Sequence, residues 1–128
     1  MSLINRTGRQ KEGDTKPTRY YSKRQEDAVA KKLGGSRTKN SGATFSEKGD
    51  VLTDQFLLEC KVKTTHSETM TVHKDWITKN AKEALFMGKP YSAVVFSFGP
   101  DEENYYIIND ELFEVLIDAL NNKDSNTP

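Results

Sequence analysis

A chain of 128 residues and 14.5 kDa is long enough for one domain with a modest hydrophobic core. Hydrophobic residues make up 34% of the chain and charged residues 30%, which is typical of a globular domain in water. No apolar run approaches the roughly 18–20 residues of a membrane span, and the first ten residues lack a signal-peptide core, so a cytoplasmic protein is expected. Cys60 is the single cysteine, which excludes an internal disulfide bond.

The net charge of zero conceals a segregation of charge along the chain. Residues 1–48 contain 12 Lys or Arg and 5 Asp or Glu, whereas residues 99–128 contain 1 and 8. A basic segment of this kind favours a polyanionic partner such as nucleic acid. Two solvated faces that compensate each other would give the same counts, so charge alone does not decide between these interpretations.

The chain is predicted to form one folded domain between two polar ends. Residues 1–19 have no apolar periodicity and contain Gly and Pro, so they are predicted to be a flexible basic arm. The domain itself is expected over residues 20–121. Residues 122–128 are predicted to be a disordered tail.

The first predicted helix runs from Ser22 to Leu33. Ser22, with Gln25 three residues later, has the form of a capping box, and the Gly34-Gly35 pair supplies a stop. A polar, basic loop is predicted over residues 36–49, with a short edge strand near residues 43–46.

A hairpin is the next predicted unit, in which Asp54-Gln55 forms a two-residue turn between two strands. That turn places Asp50 directly opposite Glu59, with Cβ atoms about 4.5–5.5 Å apart. Lys61 lies two residues beyond Glu59 and therefore projects from the same face. Phe56, Leu58, Cys60 and Val62 take the other face and enter the core.

The remaining elements are a helix over residues 72–87, a buried strand over 91–98, a second strand beginning at Tyr105, and a helix from Asp110 to about Leu120. The apolar members of the first of these helices are Trp76, Ile77, Ala81, Ala84, Leu85 and Met87. This order predicts an α/β (or α+β) domain with a small mixed central β-sheet flanked by helices.

Two adjacent carboxylates and a lysine suggest chemistry on phosphodiesters. Carboxylates this close repel each other unless a cation compensates them, and Mg²⁺ is typically held by one or two carboxylates with waters and phosphate. A lysine beside such an ion can orient a nucleophile or stabilise charge on phosphorus. An ordinary cross-strand ion network of Glu59 with Lys61 or Lys63 is the structural alternative.

GDV followed by ECK in a strand resembles the motif of the PD-(D/E)XK nuclease superfamily. The resemblance implies a restriction-endonuclease-like core of αβββαβ order, with Asp50, Glu59 and Lys61 as catalytic residues. It also implies Mg²⁺ (which Mn²⁺ can replace) bound by the two acids and the backbone carbonyl of Cys60. Gly49 stands where the motif usually has proline, which is not a ligand.

The first helix of this superfamily often supplies another acid to the metal, and Glu26 matches that role. Glu26 is also a first-turn glutamate of the predicted helix, which the helix dipole favours without any catalytic function. Gln25 competes with it for the position that faces the site. Both interpretations of Glu26 stay open at this stage.

The order KKLGG, SGA, KGDV and ECK over roughly residues 22–98 is similar to small archaeal and phage Holliday junction resolvases. This similarity implies a branched DNA substrate and a homodimer, with the VVFSF strand or the Trp76 helix as candidate dimer faces. Several residues near the motif are expected to bind DNA phosphates without reading sequence: Lys31, Lys32, Arg37, Lys39, Ser41, Lys48 and Lys63.

Three other functions fit the same residues. The first is a nicking, restriction-like or repair nuclease on the same core. The second is a nucleic-acid-binding protein without catalysis, in which the acids serve as ion pairs. The third is a protein-interaction module whose acidic C-terminal helix binds a basic partner.

Overall fold

The computed structural model describes residues 16–38 and 49–125, which contain three helices and one five-stranded sheet. A mixed α+β class, as predicted, is confirmed. In chain order the elements are α1 (Thr18–Leu33), β1 (Ser36–Arg37), β2 (Gly49–Leu52), β3 (Phe56–Lys61), α2 (Lys74–Phe86), β4 (Tyr91–Ser97), β5 (Asn104–Ile107) and α3 (Asp110–Ser125). Among these helices, none is both long enough and apolar enough to cross a membrane.

The sheet has the strand order β1-β2-β3-β4-β5. Neighbouring strands are antiparallel except β3 and β4, which are parallel. A parallel pair requires a crossover connection, and α2 lies in the segment that joins these two strands. The sheet is therefore mixed, with β3 at its centre.

The register of the β2–β3 hairpin is the one that the sequence predicts. Asp50 pairs with Glu59, Val51 with Leu58, and Leu52 with Leu57. The turn closes where the Thr53 amide donates to the Phe56 carbonyl at 3.0 Å. The Phe56 amide in turn donates to the Thr53 hydroxyl at 3.1 Å. A two-residue turn determines the register of the two strands, and therefore every residue pair of the hairpin.

Helix α1 covers one face of the sheet and forms the principal hydrophobic core with it. Val29 and Ala30 pack there with Leu58, Cys60 and Val95. Successive strand residues point to opposite faces, so the positions that alternate with Leu58 and Cys60 face the other way. These are the positions of Glu59 and Lys61.

Helix α1 begins at Thr18, four residues before the predicted start at Ser22. Pro17 occupies the N-cap position with an extended backbone, and the Ser22 hydroxyl donates to the Arg19 carbonyl within the helix. Proline has no amide hydrogen to satisfy and a fixed φ, so it starts a helix without a side-chain cap. The prediction that the arm extends to residue 19 was therefore wrong at its end, and residues 1–15 lie outside the described part.

The predicted stop after Leu33 is confirmed. Gly34 adopts a left-handed conformation with φ of 74°, which glycine reaches without steric cost. The predicted edge strand near residues 43–46 lies outside the described residues.

The apolar stripe predicted for α2 was partly wrong. The helix spans Lys74–Phe86, and its buried residues are Asn80 and Ala84, four positions apart. Leu85 is 77% exposed and Met87 is also exposed. The Asn80 amide donates to the carbonyls of Leu57 and Ala93, so a polar residue outside the predicted stripe faces the sheet.

Helix α3 is longer than predicted and has a different cap. The side-chain oxygen of Asn109, rather than Asp110, accepts a hydrogen bond from the Leu112 amide at 2.9 Å. The helix continues past Leu120 to Ser125, so the first four residues of the predicted disordered tail are helical.

Candidate active site

Asp50 and Glu59 form a pair of buried carboxylates on neighbouring strands. They are direct cross-strand partners of β2 and β3, and they are only 7% and 5% exposed. Ionised carboxylates are seldom buried to this degree unless a cation or hydrogen-bond donors compensate them. Two of them side by side make a site that is built for positive charge.

Lys61 supplies one positive charge at this site. Its ammonium nitrogen lies 3.0 Å from Oε2 of Glu59, and its side chain is 26% exposed, so the amine is within reach of solvent. The same nitrogen lies 4.7 Å from the centre of the Trp76 ring of α2. The predicted Asp50, Glu59 and Lys61 group therefore forms on the face of the sheet that turns toward α2.

The contact between the Trp76 ring and Lys61 was not predicted from the sequence. A tryptophan in a periodic helix is ordinarily read as core packing. Its ring instead lies against the Lys61 ammonium, in the arrangement of a cation–π interaction, which is worth about 0.5–2 kcal/mol depending on exposure. The sequence signal for this pair is absent, since it depends on how α2 crosses the sheet.

Glu26 is buried, but it reaches the sheet from the helix on the opposite face. It is 5% exposed, and Oε1 lies 3.6 Å from Nη1 of Arg37. Burial raises the pKa of Glu26 above its ordinary value, and the positive charge of Arg37 opposes that rise. Over residues 16–38 and 49–125, no group of three or more His, Cys, Asp or Glu is arranged to hold a metal ion, so Glu26 does not complete such a group here.

Cys60 is close enough to Glu26, Asp50 and Glu59 to be affected by their charges. Burial is the main cause that raises the pKa of its thiol, and the charges of Glu26, Asp50 and Glu59 raise that pKa further. All three carboxylates therefore act electrostatically on this one position of β3. The thiol itself belongs to the apolar core, as predicted.

The side chain of Gln25 contacts the backbone of Lys61 at the site. Its side-chain amide donates to the Lys61 carbonyl at 2.9 Å and to Oδ1 of Asn104 at 3.1 Å. The contact ties α1 to the end of β3 and to β5. Asn104 was not among the predicted residues, because only the folded sheet brings β5 to this end of β3.

The predicted DNA-binding residues differ in their exposure and in their contacts. Lys31 and Lys32 are exposed in the last turn of α1. Arg37 contacts Asp27 at 3.0 Å as well as Glu26, and Lys63 donates to the Ser67 hydroxyl at 3.3 Å. Lys39, Ser41 and Lys48 lie outside the described residues, so their predicted role is untested.

The donor set at Asp50 and Glu59 fits a hard divalent cation. Oxygen ligands from one or two carboxylates, completed by waters and substrate phosphate, are the usual environment of protein-bound Mg²⁺. The two buried acids and the carbonyl of Cys60 are of this chemistry. The Lys61 ammonium already neutralises part of the charge, which reduces the cost of burying the acids without an ion.

Glu26 is expected to make stability depend on pH. Because burial raises its pKa, the folded state binds this proton more tightly, so the free energy of unfolding falls as the pH rises from the unfolded pKa through the folded pKa. We expect Glu26→Gln to gain stability over the wild type as the pH rises through that range, and to match it at lower pH. Urea denaturation in the presence of EDTA measures this, with the surface change Glu83→Gln as the control; a constant difference across pH would contradict it.

In comparisons with known proteins, no protein-family model, no curated protein and no solved structure matches this chain.

Proposed function

We propose that this protein is a Mg²⁺-dependent endodeoxyribonuclease of the PD-(D/E)XK type that hydrolyses phosphodiester bonds in branched DNA, with the four-way junction as its favoured substrate. The observation that carries the proposal is the buried cross-strand pair of Asp50 and Glu59 with Lys61 on the same face. A purely structural role would not require two carboxylates to be buried against each other.

The order of elements supports the same proposal. The described chain begins with a helix, three strands, a helix and a further strand, which is the order of a restriction-endonuclease-like core. The motif acids lie on the second and third of those strands. The basic residues of α1 and the acidic helix α3 add a polarity that suits a polyanionic substrate.

The chain's own residues have separate roles in this proposal. Asp50, Glu59 and the Cys60 carbonyl would hold Mg²⁺ or Mn²⁺, whereas Glu26 approaches the sheet from the opposite face and contacts Arg37. When bound, such an ion supplies positive charge to a phosphate oxygen and makes water a better nucleophile at neutral pH. Lys61 orients the attacking water or stabilises negative charge on the phosphate. Before an ion binds, its contacts with Glu59 and Trp76 hold its ammonium beside the acids.

Substrate choice is tested by cleavage of three labelled DNAs with Mg²⁺: a four-way junction, a flap and a linear duplex of the same sequence. We expect the junction to be cut fastest, with paired nicks across it. Equal rates on junction and plain duplex would favour a nicking, restriction-like or repair nuclease instead. Paired nicks require two active sites, so the proposed enzyme acts as a homodimer.

A nucleic-acid-binding protein without catalysis is the second candidate, and the ion pair of Glu59 with Lys61 favours it, since this contact already neutralises one acid. Unchanged DNA affinity in Asp50→Ala, with no metal-dependent cleavage by the wild type, would support this function.

Trp76, the only tryptophan, is expected to report metal binding at the two acids. An ion bound to Glu59 competes with its contact to Lys61, so the ammonium beside the indole should move and change the fluorescence. Titration with Mg²⁺ or Ca²⁺ should give a saturable change in wild type and a much weaker one in Asp50→Asn. Equal changes in both proteins would place the bound ion elsewhere.

A further inference from the structure

Helix α3 exposes most of its apolar side. Of its described side chains, only Leu112 is buried, whereas Phe113 is 54% exposed and Leu120 is 59% exposed. Leu116 and Ile117 are exposed to a similar degree. Monomeric proteins rarely leave a continuous apolar patch of this kind uncovered.

Three of the five acidic residues of α3 lie on the side of the helix away from its apolar row. Residues 112, 113, 116, 117 and 120 follow the spacing of one helical face. Glu111, Glu114 and Asp118 fall on the opposite side at 100° per residue. Two copies of α3 can therefore meet through their apolar faces while these three carboxylates stay in solvent.

A groove lies beside this exposed row. It has a volume of about 430 Å³ and is lined almost entirely by apolar side chains, among them Leu33, Phe56, Tyr106, Ile108 and Leu116. A protruding row and an adjacent groove on one patch are the two halves of a self-complementary contact. A two-fold axis brings the row of each copy to the groove of the other, as an isologous interface requires.

The exposed apolar area of the patch approaches that of a standard dimer interface. A phenylalanine or tyrosine can bury roughly 150–250 Å², and Phe113 and Tyr106 are 54% and 40% exposed. With the aliphatic residues of the helix and groove, the apolar surface is on the order of several hundred Å², approaching the roughly 800 Å² per partner of a standard interface.

We propose that a second copy of this chain docks on the α3 surface, which consists of Leu33, Tyr106, Phe113, Leu116, Ile117 and Leu120. The candidate dimer faces from the sequence are poorer choices. The VVFSF strand is β4, which lies between β3 and β5 with its central residues buried, and Trp76 contacts Lys61. That the dimer pairs two active sites rests on the proposed function, whereas the interface itself does not.

Oligomeric state in solution tests this surface without any DNA. Light scattering after gel filtration should give wild type twice the 14.5 kDa mass of the chain. The double variant Phe113→Asp/Ile117→Asp should give the mass of one chain, with an unchanged circular dichroism spectrum. Phe86→Asp is the matched control, because Phe86 is 89% exposed at the end of α2 and lies outside the α3 surface.

A second variant tests the location without removing apolar surface. A flexible bifunctional thiol reagent should cross-link two copies of Ile117→Cys across the interface, and it should not cross-link Phe86→Cys. A monomeric wild type would overturn the proposal. The binding of an apolar dye would then show what covers the patch. No binding would indicate that residues 1–15 cover it, and binding would indicate a surface open to another protein. A double variant that stays dimeric, or cross-linking at Phe86 alone, would also overturn it. A wild-type dimer that shows no nuclease activity would count only against the proposed function.

Discussion

Replacing Glu59 by glutamine or Lys61 by methionine is expected to lower the rate of junction cleavage by roughly 10²–10⁴-fold. Glutamine keeps the size of the side chain but removes the charge that a divalent cation requires. Methionine keeps the apolar stem of Lys61 while removing the ammonium that contacts Glu59 and Trp76. The measurement is single-turnover cleavage of a labelled four-way junction with saturating enzyme and Mg²⁺.

The control for this pair is Lys82→Met, which removes an exposed ammonium from α2 away from the acids. It should cut within a few-fold of wild type. Binding of the junction in Ca²⁺ is expected to be largely preserved in the two active-site variants, which separates lost chemistry from lost affinity. If both variants cut as fast as wild type, the catalytic assignment is wrong.

Asn80 is expected to be the most important polar residue for stability. Its amide is 2% exposed and donates to the carbonyls of Leu57 and Ala93, one on each of the two parallel central strands. Asn80→Ala leaves both carbonyls without this donor in a site that water does not reach. We expect a loss of about 2–4 kcal/mol in the free energy of unfolding, since each buried group left unsatisfied costs about 1–3 kcal/mol.

Urea denaturation followed by circular dichroism measures the effect as a shift of the midpoint at constant slope. Leu85→Ala is the control on the same helix, because Leu85 is 77% exposed and should change stability by no more than about 0.5 kcal/mol. Equal midpoints for the two variants would mean that Asn80 does not tie α2 to the sheet.

The hairpin and its acids were predictable from the sequence because their geometry is local. A two-residue turn and a period of two together determine that Asp50 faces Glu59 and that Lys61 shares their side. The stop of α1 was predictable for a similar reason, since Gly34 takes a conformation that few other residues adopt.

The contacts that complete the site were not predictable, because each joins elements that are distant in the sequence. The pairs of Lys61 with Trp76 and Gln25 with Asn104 depend on where α1 and α2 lie over the sheet. Asn80 was overlooked for a different reason. A prediction from apolar periodicity assumes that only apolar residues face the core, and Asn80 is polar.

The burial of Cys60 makes its thiol a probe of how often β3 separates from its neighbours. A thiol that is 4% exposed, with its pKa raised by burial and by three acids, is a poor target for alkylating reagents while β3 is in place. The rate at which this thiol is modified at neutral pH would then be limited by the transient separation of the hairpin from α1. Reagents directed at thiols placed on the surface can therefore be used on the otherwise unaltered chain, since its native thiol is shielded.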